Sequence, residues 1–184
     1  MKRLLLGLVA APALLALGVA ATPALAALAT GAKAPDFTAP ATIDGKEFTY
    51  KLADALKKGP VVVYFYPKAF TKGCSLEAHE FAEATDQFKA MGASVIGVSR
   101  DDIATLDKFS TQVCQSKFPV ASDKDGGIVK SYDVSLPIVA MSNRTSFVIA
   151  PDGKITYVYS DLNAEKHVEN SLAAVKAWKD NHKG

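Results

Sequence analysis

Two cysteines occur among the 184 residues, and one of them stands where the local sequence changes character. Cys74 lies in the stretch YFYPKAFTKGCSLEAHEF, Tyr64 to Phe81, between an apolar β-branched and aromatic run and a helix-like one. A thiol is a nucleophile only as its thiolate. The first amide N–H groups of a helix have no intrahelical acceptor, so the field at a helix start favours an anion there. With Thr71 as N-cap, Cys74 is the third helical residue, inside that field. Pro67 ends the preceding strand, and Lys68, Ala69 and Phe70 carry the chain to the helix start at the strand's end, where open α/β sheets collect ligands. The commonest role of a free cysteine is a small buried hydrophobe. Thr71, Lys72 and Gly73 are poor core neighbours, and Gly73 leaves the backbone open beside the sulfur. A reactive thiol is the expectation.

The elements that must hold this thiol follow from periodicity and turn residues. Phe37–Tyr50 reads as a hairpin turned at Asp44-Gly45, and Lys51–Lys58 as a short helix closed by Gly59. Val61–Tyr66 has the composition of a strand buried on both faces, hence a central one. From Thr71 the period becomes helical through Met91, with Gly92 as the stop. Val95–Val98 is a second buried strand, Ile103–Ser116 a helix containing Cys114, and Pro119–Ala121 a short strand. Gly127–Tyr132 forms a further helical turn. Ser146–Ile149 and Ile155–Tyr159 pair across Pro151-Asp152-Gly153, and Ala164–Asn181 is a closing amphipathic helix. Strands alternating with helices, with hairpins near both ends, imply one α/β domain with a mixed sheet covered by helices.

Pro67, Thr71 and Cys74 reproduce the pattern P-x-x-x-T-x-x-C, and in this the chain resembles the peroxiredoxins, thiol peroxidases on a thioredoxin-like fold. The stretches GAKAPDFTAP, VVVYFYPKAFTKGC and RTSFVIAPDGKI follow in the family's order. Within the family the chain looks most similar to the bacterioferritin comigratory protein, or peroxiredoxin Q, branch. The resemblance implies that Cys74 is the peroxidatic cysteine and that Thr71 holds the peroxide. Arg144, read as part of the later strand, would stabilise the thiolate and the leaving oxygen, and Pro67 would shield the sulfur. Glu77, one helical turn after Cys74, resembles the acidic residue that orients the arginine in some members. Where many members of this branch place a second cysteine, five residues after the first, this chain has His79. Cys114 resembles the resolving position of another subgroup. The implied partners are a peroxide and a thioredoxin-like or other dithiol reductant, with no cofactor, and the implied state is a monomer or weak homodimer.

Address and charge narrow the remaining classes. Met1-Lys2-Arg3, an apolar run to Ala21 and the small residues Ala24-Leu25-Ala26 read as a signal peptide over residues 1–26, leaving a domain of residues 27–184 for the periplasm. The net charge of +2 comes from 21 basic and 19 acidic side chains. Removing Lys2 and Arg3 with the leader makes the remainder formally neutral, so neither nucleic acid nor a stable membrane association is expected. His79, His167 and His182 show no metal-ligand spacing. Two other readings use the same cysteines. A periplasmic thiol-disulfide oxidoreductase would want C-x-x-C, whereas the chain has Cys74-Ser75-Leu76-Glu77. A non-catalytic thioredoxin-like domain would use Cys74 and Cys114 as a permanent staple.

Overall fold

The computed structural model describes residues 27–182; the proposed leader, residues 1–26, lies outside the described residues. In chain order the elements are β1 (Thr38–Ile43), β2 (Lys46–Lys51), α1 (Leu52–Leu56), β3 (Val61–Phe65), α2 (Lys72–Ala90), β4 (Ser94–Ser99), α3 (Ile103–Gln112), β5 (Val120–Ser122), α4 (Gly127–Ser131), β6 (Thr145–Ile149), β7 (Ile155–Ser160) and α5 (His167–Asn181). The strands form one sheet in the order β2-β1-β5-β4-β3-β6-β7. Strands β3, β4 and β5 run parallel, while β1 and β6 flank them antiparallel, so the sheet is mixed as its sequence pattern implies. The hairpin β1–β2 turns through Asp44 and Gly45, both at positive φ, and β6–β7 turns through Pro151–Gly153.

Strand β3 is the axis of the core. All five of its residues are buried, and its side chains alternate between two apolar clusters. Val62 and Tyr64, with Tyr66 beyond the strand end, pack with Ala78, Phe81 and Phe88 of α2, Leu106 and Phe109 of α3, and Val168 and Val175 of α5. Val61, Val63 and Phe65 face the other way, among Leu52 and Leu56 of α1, Val129 of α4, and Phe147 and Ile149 of β6. Burying each such large side chain contributes about 1.5–3 kcal/mol, so disturbing this strand is costly. The ring of Tyr64 stacks on Phe81 with centroids 4.4 Å apart and lies across Gly97 of β4. A Cβ at Gly97 would fall 2.7 Å from the Tyr64 ring, so only glycine admits this packing.

Most element boundaries move by a residue or two from the sequence reading, and three of the differences bear on the candidate site and its surroundings. Helix α3 ends at Gln112, so Cys114 sits in the turn that follows it and not in the helix. There Cys114 N–H donates to the Phe109 carbonyl at 3.1 Å, and Gln115 and Ser116 both adopt positive φ, which takes the chain off the helical path. Arg144 precedes β6 by one residue rather than lying in the strand. Helix α5 starts at His167, later than Ala164, because residues 161–166 form turns tied by Asp161 and Asn163 side chains.

Candidate active site

The loop after β3 is built to present the start of α2. Tyr66 N–H still donates to Val98 O at 3.2 Å, and its own carbonyl accepts from Ser142 Oγ at 2.9 Å. Ala69 N–H is held by Asp101 Oδ2 at 2.8 Å, and the same carboxylate oxygen accepts from Ser99 Oγ at 2.8 Å. Phe70 then takes φ +62°, an uncommon conformation for a bulky residue, with its ring edge-on to Phe109. That turn delivers Thr71 to the N-cap of α2. The Thr71 hydroxyl does not cap the helix: it donates to Lys68 O at 2.9 Å and so ties the loop to itself. Pro67, in the same loop, is half-buried.

Cys74 is the third residue of α2 and only 1 % exposed. Its sulfur accepts from Arg144 Nη2 at 3.5 Å. The guanidinium is gripped on two other sides. Nη1 pairs with Glu77 Oε2, and Nε donates to Leu162 O at 3.0 Å. A planar fork held by two fixed acceptors leaves its third nitrogen one direction to point, and that direction is the sulfur. Gly73 makes room for it, since a Cβ there would lie 3.1 Å from Nη2. Glu77, one turn along α2, is fully buried beneath the pair. Burial pushes its carboxyl up to about 8, against the pull of Arg144. Burial also works against the Arg144 charge, and Glu77 and Cys74 more than offset it, leaving the guanidinium above its ordinary value.

A histidine completes the group. His167, the first residue of α5, is fully buried, with Nδ1 3.5 Å from Glu77 Oε1 and 2.9 Å from Ser146 Oγ. Its Nε2 lies 3.0 Å from Asp161 O, which can only accept, so Nε2 carries a proton. Burial pulls the imidazole down to about 4, with Arg144 adding to the effect and the Asp161 carbonyl opposing it.

Cys114 is also a free, buried thiol, in the same apolar cluster as Cys74. Burial pushes it well above the ordinary thiol range. Burial, with a smaller contribution from Cys114 beside them, pushes the Tyr64 and Tyr66 phenols up. His79 lies on the exposed face of α2 and meets Gln115, not Cys74.

The arrangement offers a thiol at a helix start, a fixed cation beside it and a hydroxyl-bearing residue three positions earlier. The AhpC/TSA family pattern matches residues 30–158. The chain belongs to this peroxiredoxin family. It is similar to the peroxidoxin BcpB of Mycobacterium tuberculosis, with 32% identity and a TM-score of 0.74 over 80% of this chain and 96% of that one. It is 32% identical to peroxiredoxin Bcp of Xanthomonas campestris over 64% of this chain and 76% of that protein. With the chloroplast 2-Cys peroxiredoxin of Hordeum vulgare it shares 30% identity over 80% of its own length and 73% of that protein. The thioredoxin-like peroxiredoxin fold and a thiol-dependent peroxidase activity follow for this chain. Two parts of the group escaped the sequence reading. The Leu162 carbonyl is a backbone acceptor and leaves no trace in residue type. His167 is 167 − 77 = 90 positions from Glu77, and nothing in its neighbours marks it as an interior residue.

Proposed function

We propose that Cys74 is the peroxidatic cysteine, and that it reduces hydrogen peroxide and organic hydroperoxides with Cys114 as the resolving thiol. The observation that carries this reading is the Arg144 guanidinium 3.5 Å from Cys74 Sγ, anchored on Glu77 and the Leu162 carbonyl. A cation and a helix start both favour negative charge on that sulfur. The thiolate attacks the nearer peroxide oxygen, the O–O bond breaks, and the leaving oxygen departs as water or an alcohol with one proton taken up. Cys74 becomes a sulfenic acid. Arg144 stabilises charge on the departing oxygen, Thr71 orients the peroxide through its hydroxyl once that group turns from the Lys68 carbonyl, Glu77 fixes the arginine, and Pro67 limits water at the sulfur.

The Cys114 thiol then attacks the sulfenic sulfur, expelling water and forming a disulfide. A thioredoxin-like or other dithiol donor returns both cysteines to thiols while being oxidised itself. A disulfide needs the two Cα atoms within roughly 7 Å, and the segments that would open to bring them there are the turn after α3, the first turn of α2, or both. Helix ends yield at low cost because few backbone hydrogen bonds must break. The leader over residues 1–26 would place the mature protein, as a monomer or weak homodimer, in the periplasm.

The scheme is tested by treating the reduced protein with one equivalent of hydrogen peroxide and reading thiol count and mass under nonreducing, denaturing conditions. Loss of both thiols in a monomer is expected. A Cys74 sulfenic acid with Cys114 still free, or a covalent dimer as the main product, overturns the role given to Cys114.

A further inference from the structure

Glu77 uses one carboxyl oxygen on Arg144, and the other, Oε1, is buried with no hydrogen-bond partner among the described residues. A buried carboxylate oxygen left alone is costly. The polar atom it faces is His167 Nδ1, at 3.5 Å, on a ring whose other nitrogen is already committed to Asp161 O. Nδ1 is therefore the one ring position free to gain or lose a proton. Ser146 Oγ, 2.9 Å from Nδ1, is a rotor that donates to a bare nitrogen or accepts from a protonated one. The site tolerates either arrangement without moving a heavy atom.

Charge arithmetic shows what a proton here would do. With Cys74 as thiolate and Arg144 as cation, an ionised Glu77 beside a neutral His167 leaves the buried group one negative charge in excess. One proton held anywhere on the Glu77–His167 pair makes the total zero, and Arg144 then serves the sulfur undivided. We propose that His167 is a positioning residue of the peroxidase centre, sharing one proton with Glu77 between Nδ1 and Oε1 so that the group stays neutral while Cys74 carries its charge. This rests on the reading of Cys74 as the reacting thiolate.

The other charged and titratable groups facing the pair do not displace this logic. Glu80 on α2 pushes Glu77 further up, adding to burial and so favouring the proton. Glu80 itself is raised, by burial first and then by Glu165, with His79 opposing. Asp161 acts on His167 through its backbone carbonyl and its charge, both raising, while Arg144 lowers it. From β7, Tyr159 presents its ring edge-on to the imidazole at 4.8 Å.

The test is histidine nitrogen NMR on the reduced full domain against pH, with His167→Gln used to assign the signal. The His167 Nδ1 signal should move once, as the shared proton leaves, while Nε2 stays protonated. In Cys74→Ser the nearby negative charge is gone, so the same event should move to lower pH by about one unit, a tenfold weaker hold on the proton. In Glu77→Gln it should vanish. A His167 ring that titrates identically with and without Cys74 overturns the proposal, as does one unmoved by Glu77→Gln. A second readout is alkylation of Cys74 against pH in a Cys114→Ser background. There His167→Gln should shift the profile to higher pH, with about tenfold slower reaction near neutrality; an unshifted profile contradicts the proposal. Neither readout uses peroxide, so failure of the peroxidase assignment would show separately, as lost turnover with these titrations intact.

Discussion

Gln115 Nε2 lies 3.0 Å from His79 Nδ1 and 3.0 Å from Glu83 Oε1, so the turn bearing Cys114 is clasped to the exposed face of the helix that bears Cys74. The turn is fastened on its other side by Ser116 Oγ, which donates to Asp44 Oδ1 at 2.8 Å. With two consecutive residues at positive φ, it is held by these bonds against its own backbone preference.

If resolution requires that turn to open, loosening the clasp should speed it. Gln115→Ala removes two exposed hydrogen bonds, worth about 1 kcal/mol net, and should raise the rate of disulfide formation about fivefold without changing the rate of peroxide attack. Rapid acid quench followed by mass analysis separates the two steps. An unchanged disulfide rate would mean that opening is confined to the first turn of α2.

Gly73 tests the aim of the guanidinium. Gly73→Ala suits the helix, yet its methyl would fall 3.1 Å from Arg144 Nη2, so the fork must give by a few tenths of an ångström. Thermal stability should hold or rise while peroxide attack slows, a divergence read by pairing a melting curve with stopped-flow rates. Equal rates in the variant would show that the Nη2 direction is not critical.

Arg144→Ala removes the cation beside the sulfur and leaves Glu77 unpaired. The rate of peroxide attack near neutral pH should fall on the order of a hundredfold, and its pH profile should move to higher pH. An unchanged profile would remove Arg144 from the mechanism.

The buried pair also sets a pH signature on stability. Glu77 is raised from 4.5 to about 8 and His167 lowered from 6.5 to about 4. Between pH 4.5 and 6.5 the native state holds one proton more on Glu77 and one fewer on His167 than the unfolded chain, and the two slopes cancel. From 6.5 to 8 only the Glu77 difference remains. The native state then binds more protons, so stability falls as pH rises, by about 2 kcal/mol across that interval. Glu77→Gln should lack this decline. Denaturant melts at a series of pH values would show it, and parallel curves for the two proteins would contradict it.

What the sequence made legible was local. The strand Val61–Phe65 and the change of period at Thr71 announce themselves within a dozen residues, and so they place Cys74 in the first turn of α2. The turn at Cys114 did not, because Val113 and Cys114 continue an apolar pattern and neither Gln115 nor Ser116 is a residue type that signals a positive φ. Phe70 hides its backbone in the same way, since its conformation is imposed by Asp101, just beyond β4, and by Phe109 of α3. Arg144 drew notice only through family resemblance, for a lone arginine beside a strand is ordinarily a surface residue. His167 was read only as a histidine without metal-ligand spacing: its place in the group depends on α2, β6 and α5 meeting at one point, a property of the tertiary fold.

Cys74 is proposed as the thiol that takes the peroxide oxygen. The most direct measurement takes the reduced Cys114→Ser protein, mixes it with one equivalent of hydrogen peroxide in the presence of a sulfenic-acid trap, and follows the rate of adduct formation before mapping the site. A single adduct on Cys74 is expected, formed far faster than on free cysteine. No adduct at Cys74, or one formed only at the rate of free cysteine, would contradict it.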